Sequence, residues 1–174
     1  LLNLKPDFTP RRAPGRFSSQ TRPQPELDFF NGTGGFTEGG REYRIALADG
    51  QTTPAPWSNV VSNPGFGFVV TESGGGFTWA GNSRENRLTP WSNDAVSDPV
   101  SEAIYLRDED TGESWTPTPM PIRLPGTYAI RHGQGYSVFE FAAHGIESEL
   151  TLFVPPADPV KLMRLKLRNT SGER

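Results

Sequence analysis

The chain contains no cysteine, which excludes disulfide bonds, thiolate metal sites and a cysteine nucleophile together. Only 34% of its residues are hydrophobic, and no apolar run approaches the roughly 18 residues that a membrane-spanning helix needs. The first residues lack the apolar core and small-residue cleavage site of a signal peptide. We therefore expect a soluble protein without direct membrane insertion.

A large charge of either sign is also missing. The formal net charge is −3, from 17 basic and 20 acidic residues in a chain of 174. Partners that select for strong positive charge, such as nucleic acids and anionic membranes, are therefore not expected.

No stretch shows a sustained helical period, whereas 19 glycines and 17 prolines supply frequent turns. Short apolar or alternating stretches between these turns predict an all-β fold, an antiparallel β-sandwich. Ser73–Gly76 predicts the turn of a hairpin. The predicted strands are 42–47, 66–71, 77–80, 103–107, 127–131, 136–143, 147–154 and 160–168, with strand also near Trp115.

The first 26 residues differ from the rest, because they combine five prolines with five basic and only two acidic residues. This composition predicts a proline-rich, basic linker or tail over 1–26 and a sandwich domain over 27–174. A phosphate-contacting arm is the alternative for the first segment.

Familiar site motifs are absent. The glycine-rich segments 32–35 and 73–76 match no phosphate-loop pattern and are predicted to be turns. The acidic run that begins at Asp108 has its glycine one position too early for a calcium loop. His132 and His144 lack the spacing of a zinc site, and they are predicted to be turn or core residues. We therefore expect no metal.

The segment Phe77–Asp94, FTWAGNSRENRLTPWSND, has a different character. It brings two tryptophans, two arginines, three asparagines and two carboxylates into eighteen residues with few aliphatic side chains. Aromatic faces together with many fixed hydrogen-bonding groups suit a polyhydroxylated ring or an oxyanion. Carbohydrate binding is the first hypothesis for this segment.

Two other interpretations of this segment remain open. Glu85 and Asp94 could form the carboxylate pair of a glycosidase, although sequence proximity does not establish the required separation. Alternatively, Arg84, Glu85, Arg87 and Asp94 could form an internal ion-pair network that stiffens a long loop.

The segment and its neighbours resemble a known family. TWAGNSRENRLTPWSND followed by DPVSEAIYLRDEDTGESW, with LDFFNGTGGFTEGGREY and TPAPWSNVVSNPGFGF before them, is similar to the amino-terminal β-sandwich of the cellobiose and chitobiose phosphorylase family. This is glycoside hydrolase family 94, and the likeness is greatest to the phosphorylase-like region of bacterial cyclic β-1,2-glucan synthases. The resemblance implies a galactose-mutarotase-like super-sandwich, incomplete in this fragment.

In that family an (α/α) barrel follows the sandwich and carries the catalytic acid, while inorganic phosphate acts as co-substrate. The resemblance therefore implies no catalytic residue and no cofactor in this chain. It implies instead that the sandwich packs on its own downstream barrel and helps to bind a β-linked glucan or oligosaccharide. Position and side-chain chemistry nominate six contact residues: Trp79, Asn82, Arg84, Glu85, Asn86 and Trp91.

A free-standing carbohydrate-binding or interaction module is the alternative function. The expected location is the cytoplasm, with an inner-membrane parent if that parent is a cyclic glucan synthase. A final strand rich in leucine should leave a sheet edge unpaired, so we also expect a homodimer with contacts between Thr127 and Arg168.

Overall fold

The computed structural model describes residues 26–172, and these residues form antiparallel sheets without an α-helix. The helical content is one 3₁₀ turn, Glu38–Gly40. The strands are β1 Gly34–Thr37, β2 Glu42–Leu47, β3 Ser58–Asn63, β4 Phe66–Thr71, β5 Gly76–Ala80, β6 Leu106–Arg107, β7 Ser114–Trp115, β8 Tyr128–Gly133, β9 Tyr136–Ala143, β10 Ile146–Phe153 and β11 Leu162–Asn169.

The strands form two main layers. The large sheet has the order β1-β2-β8-β9-β10-β11, the small sheet has the order β3-β4-β5, and β6 and β7 make a separate two-stranded ribbon. Each pair of neighbouring strands is antiparallel. The predicted all-β antiparallel sandwich is therefore confirmed.

The core lies between the two layers because side chains alternate across each strand. Ile45, Ile130, Phe139 and Leu150 stand side by side in the register of the large sheet and are at most 3% exposed. Phe68 of the small sheet packs in the same buried cluster. Full burial of such side chains stabilises the fold by roughly 1.5–3 kcal/mol each.

A chain of polar contacts also joins the two layers. His132 Nε2 lies 3.1 Å from the Trp57 carbonyl oxygen, which can only accept, so Nε2 carries the proton and Nδ1 accepts from the Ser137 hydroxyl. Asn59 donates from Nδ2 to that hydroxyl oxygen at 3.1 Å. Burial lowers the pKa of His132 to about 4, so its imidazole is neutral at pH 7.

Most predicted strands are present within two residues of their expected bounds, and Ser73–Gly76 does connect β4 to β5. Two predictions are wrong. Gly34 and Gly35 belong to β1 rather than to a turn, and the strand expected over 103–107 is limited to Leu106–Arg107. A Cβ at Gly34 would lie 2.9 Å from Tyr43 Cε1, so β1 can lie this close to β2 only without a side chain there.

β11 forms one edge of the large sheet, and no described residue pairs with its outer side. Leu162, Met163 and Leu167 are 40–53% exposed. The predicted open edge is therefore present.

The predicted linker lies outside the described residues except for Glu26. Within residues 26–172, no helix has the length and hydropathy to cross a membrane.

Candidate functional site

The segment 77–94 begins inside β5 and continues as a loop over the outer face of the small sheet. Phe77 and Trp79 are opposite Val69 and Gly67 of β4. The alternate residues of β4, Phe66, Phe68 and Val70, belong to the buried core cluster. Because side chains alternate, the two aromatic residues face away from the large sheet.

Glycine at position 67 makes room for the indole of Trp79. A Cβ at Gly67 would lie 2.5 Å from Trp79 Cζ2, so even an alanine would force the ring or the strand to move. The result is a flat aromatic layer held close against the backbone of β4.

The loop covers this aromatic layer. The Phe77 ring lies 5.4 Å from that of Trp79 and 5.0 Å from that of Trp91, and the Arg87 guanidinium lies 5.2 Å from the Phe77 centroid. Such ring pairs contribute about 0.5–1.5 kcal/mol beyond area burial, and cation–π contacts contribute a similar amount. Phe77 and Trp79 are 9% exposed, whereas Trp91 is half-buried.

Asparagine side chains fix the turn at the tip of the loop. Asn82 Oδ1 accepts from the backbone amides of Arg84 and Glu85 at 2.8 and 3.0 Å, which is an Asx turn. Asn86 donates from Nδ2 to the Ala80 carbonyl at 3.1 Å, and its own carbonyl accepts from the Ala80 amide at 3.2 Å. The chain thereby returns alongside β5, where Trp79 and Arg87 form a β-bridge.

The charged side chains at the tip project into solvent. Arg84 Nε lies 3.5 Å from Glu85 Oε1, with side chains 87% and 73% exposed. An ion pair this exposed stabilises the fold very little. Its groups therefore remain available to a ligand at small cost.

The predicted ion-pair network is wrong in this structure. Arg87 donates to the Ser83 carbonyl and lies over Phe77, while Asp94 accepts from the amides of Val96 and Ser97. Within residues 26–172 the pair of Arg84 and Glu85 is the one ion pair of this segment.

The carboxylate pair also lacks support. The Ser97 hydroxyl, together with the amides of Val96 and Ser97, lowers the pKa of Asp94, so this carboxyl is ionised at neutral pH. A general acid needs the opposite shift.

A carboxylate outside the segment anchors the far end of the loop. Glu102 Oε1 accepts from the hydroxyls of Thr78 and Thr89, and Oε2 accepts from Lys161 Nζ at 2.8 Å. Burial alone would raise the pKa of Glu102, but these donors outweigh it and hold the pKa below its ordinary value. Glu102 is thus a charged clasp between β5, the loop and the residue that precedes β11.

Of the six nominated residues, four are exposed, Trp91 is half-buried and Trp79 is buried. Stacking on a sugar ring requires an accessible aromatic face, so Trp79 supports the loop in this structure rather than presenting a surface. Sequence reasoning missed Tyr105, which is 59% exposed and lines an open groove of about 570 Å³ with Ser97, Pro99–Ala103, Met120 and Pro121. Its aromatic character was the available signal.

No group of three or more histidine or acidic side chains in residues 26–172 could hold a metal ion.

Comparison with known proteins identifies close relatives. A model of the glycosyl hydrolase 94 supersandwich domain matches residues 41–174. The cyclic β-(1,2)-glucan synthase NdvB of Rhizobium meliloti is 46% identical over 148 residues, which cover 84% of this chain and 5% of that protein. The N,N′-diacetylchitobiose phosphorylase of Vibrio proteolyticus is 33% identical, and the solabiose phosphorylase of Paenibacillus borealis is 34% identical, both over 143 residues. Those residues cover 80% of this chain and 18% of each phosphorylase.

Proposed function

The chain belongs to the glycosyl hydrolase 94 supersandwich family, and from that premise we propose that it serves a carbohydrate-active phosphorylase or cyclic β-1,2-glucan synthase as its non-catalytic β-sandwich. In this role it contributes to carbohydrate binding, packs on a downstream (α/α) barrel and takes part in a homodimer. The relatives' names, glucan synthase and disaccharide phosphorylases, support a β-linked glucan or oligosaccharide as the ligand.

The observation that carries this proposal is the construction of the loop 80–91. Its backbone is held by Asn82, Asn86 and Glu102. Arg84 and Glu85 project into solvent, and Trp91 at the end of the same loop is half-buried. Sugar hydroxyls are bound well by charged donors and acceptors, and the C–H face of a pyranose packs on an aromatic ring. A fixed backbone lowers the entropy cost of such binding.

The test is a titration of the chain with β-1,2- and β-1,4-linked gluco-oligosaccharides, followed by amide chemical shifts. We expect shifts concentrated in residues 80–91, and Arg84→Ala should weaken binding at least about fivefold. The matched control is Arg107→Ala, which removes another surface arginine, 42% exposed and ion-paired to Glu109. Equal losses for the two variants, or shifts elsewhere, would contradict this assignment.

A free-standing binding module is distinguished by affinity. Millimolar or tighter binding by the isolated chain favours that alternative. Weak binding here, with full activity only when a barrel follows in the same polypeptide, favours the domain of a larger enzyme.

The remaining parts of the proposal concern the parent protein. We propose inorganic phosphate as the co-substrate of the parent protein rather than a ligand of this chain. We also propose that the sandwich lies in the cytoplasm. Detection of the domain on the outer side of the inner membrane, by protease accessibility in spheroplasts, would contradict that location.

The proposed dimer contact uses β11, the last strand of the large sheet. Two copies could join by edge-to-edge addition along β11 or by exchanging this terminal strand, and exchange is favoured. Exchange preserves the pairing of β11 with the acidic β10, whereas edge-to-edge addition brings basic side chains together.

A further inference from the structure

The open groove of about 570 Å³ that Tyr105 lines lies next to the loop 80–91. One wall comes from the segment 97–105, between β5 and β6, and the other comes from Met120 and Pro121, between β7 and β8. Glu102 lines this groove and also accepts from the hydroxyl of Thr89, near the end of the loop, at 3.1 Å. The groove therefore begins where the loop that we propose to bind carbohydrate ends.

Both walls are held by the turn between β4 and β5. The Asp98 carboxylate accepts from the hydroxyls of Thr71 and Ser73, and the Met120 amide donates to the Ser73 carbonyl at 2.9 Å. Asp98 has a backbone φ of 39°, which is unfavourable for a residue other than glycine and persists only where surrounding contacts fix it. Ser73 thus holds one wall through its side chain and the other through its backbone. A groove fixed in this way loses little conformational entropy when a ligand binds.

The lining combines an aromatic ring with apolar and oxygen-bearing side chains. The ring is that of Tyr105, which is 59% exposed. Apolar surface comes from Pro99, Val100, Ala103, Met120 and Pro121, and side-chain oxygen atoms come from Ser97, Ser101 and Glu102. A pyranose ring matches this lining, because its C–H groups pack on an aromatic face while its hydroxyls donate and accept hydrogen bonds. An apolar ligand would remove Ser97 and Glu102 from water without offering hydrogen bonds, which is unfavourable.

Size and charge also fit an uncharged sugar. The volume lies within the range of small-molecule sites, roughly 300–1,000 Å³. Among the lining residues in the part of the chain that the structure describes, Glu102 alone is charged, and Lys161 Nζ already pairs with it at 2.8 Å. A strongly charged ligand would therefore meet no unpaired counter-charge among these residues.

We propose that this groove is a second carbohydrate subsite, in which one glucose unit of a β-linked glucan stacks on Tyr105. The inference rests on the proposed role of the chain in carbohydrate binding and extends the site of the loop 80–91 along the glycan. A longer oligosaccharide contacts the loop and the groove together. Its affinity is then higher than that of either contact alone, because the second contact forms within the same complex.

The test uses the 174-residue chain with isotope-labelled methyl groups on its two methionines, Met120 and Met163. Met120 lines the groove and Met163 lines a different cavity, so the second methyl signal is an internal control. A β-1,2-linked gluco-hexasaccharide should shift the Met120 signal and leave the Met163 signal in place.

Variants of Tyr105 test the stacking contact. Tyr105→Ala should weaken hexasaccharide binding at least about fivefold, whereas Tyr105→Phe should not, because the aromatic ring remains. Phe29→Ala is the matched control, since it removes another aromatic ring that is 88% exposed, and it should leave binding unchanged.

The results separate this subsite from the site on the loop. Amide shifts in residues 80–91 without a shift of Met120, or unchanged affinity in Tyr105→Ala, would overturn the subsite and leave the loop site standing. A shift of Met120 with weakened binding by Tyr105→Ala, but no response in residues 80–91, would support the subsite and contradict the loop site. No shift anywhere at millimolar hexasaccharide would overturn both.

Discussion

At the residue scale, burial separates the two tryptophans of the candidate segment. Trp79 lies in β5 and is buried, whereas Trp91 follows Pro90 in the loop and is half-buried. Which face Trp79 occupies was not predictable, because alternation defines two faces without saying which one meets the core. The loop provides the cover on the outer face, and its path depends on hydrogen bonds such as that from Asn86 to Ala80.

Trp79→Ala should therefore lower the free energy of unfolding more than Trp91→Ala does. We expect a loss of about 3–4 kcal/mol for the buried indole and about 1–2 kcal/mol for the half-buried one. Chemical denaturation of both variants measures the difference. Equal midpoints would show that the packing of Phe77 and Trp79 contributes less than their burial indicates.

His132 should make stability depend on pH. Its pKa is about 4 in the folded chain and about 6.5 when unfolded, so between these values the unfolded state binds more protons. The stabilisation is complete above pH 6.5 and is lost as the pH falls towards 4, by up to about 3 kcal/mol.

Carboxyl groups also titrate in this range, so the measurement is a difference between two proteins. The free energy of unfolding of His132→Gln, compared with the parent chain at pH 7 and pH 4.5, isolates the histidine contribution. We expect the parent to lose more stability on acidification than the variant does. Parallel pH curves would contradict a buried neutral imidazole.

At the element scale, strands in which apolar and polar residues alternate were predictable. Strands that form only because a neighbouring strand pairs with them were not. Tyr136–Ala143 appears with its predicted bounds, since its apolar and polar residues alternate between turn glycines. β3, Ser58–Asn63, has mostly polar residues and exists because β4 pairs with it. β1 is half glycine, and its pairing depends on close contact with Tyr43.

The clasp at Glu102 leads to an element-scale prediction. Glu102→Gln keeps the shape of the side chain but removes the charge that pairs with Lys161, and one terminal oxygen becomes an amide. We expect faster amide hydrogen exchange in residues 87–91 and a loss of roughly 1–3 kcal/mol. Glu109→Gln, on an exposed turn, is the matched control. Unchanged exchange near Thr89 would show that the loop does not depend on the clasp.

At the scale of the whole molecule, the family was recognisable because the segment 77–94 and its neighbours form a long, specific pattern. The clasp was not predictable, because Glu102 and Lys161 are 59 positions apart and meet only once the sandwich has formed. Likewise, the open cavity of about 270 Å³ that Val70, Leu150 and Met163 line was not predictable, because its lining comes from both sheets. The pattern of residues therefore predicts the class of fold. Contacts between segments distant in sequence determine which side chains and cavities remain accessible to solvent.

The isolated chain should show no phosphorolysis or synthesis of β-linked disaccharides with glucose 1-phosphate and inorganic phosphate. Binding groups without a positioned general acid give little rate, and the ionised Asp94 does not supply one. A coupled assay for glucose 1-phosphate measures this, with a whole phosphorylase as positive control. Turnover that survives repurification and requires phosphate would refute the assignment as non-catalytic.

The proposed dimer forms by exchange of β11 between two copies, which keeps the pairing of β11 with β10. The segment that joins these two strands is the hinge of such an exchange. The segment between β10 and β11 contains three prolines and is held to β3 by Asn63, whose Nδ2 donates to the carbonyls of Pro155 and Asp158 at 2.9 and 2.8 Å. We expect a dimer at micromolar concentration in sedimentation experiments, and Asn63→Ala, by loosening this hinge, should change the proportion of dimer. A monomer of 19.1 kDa across the dilution series, with protected amides in Leu162–Asn169, would show that β11 stays with its own chain.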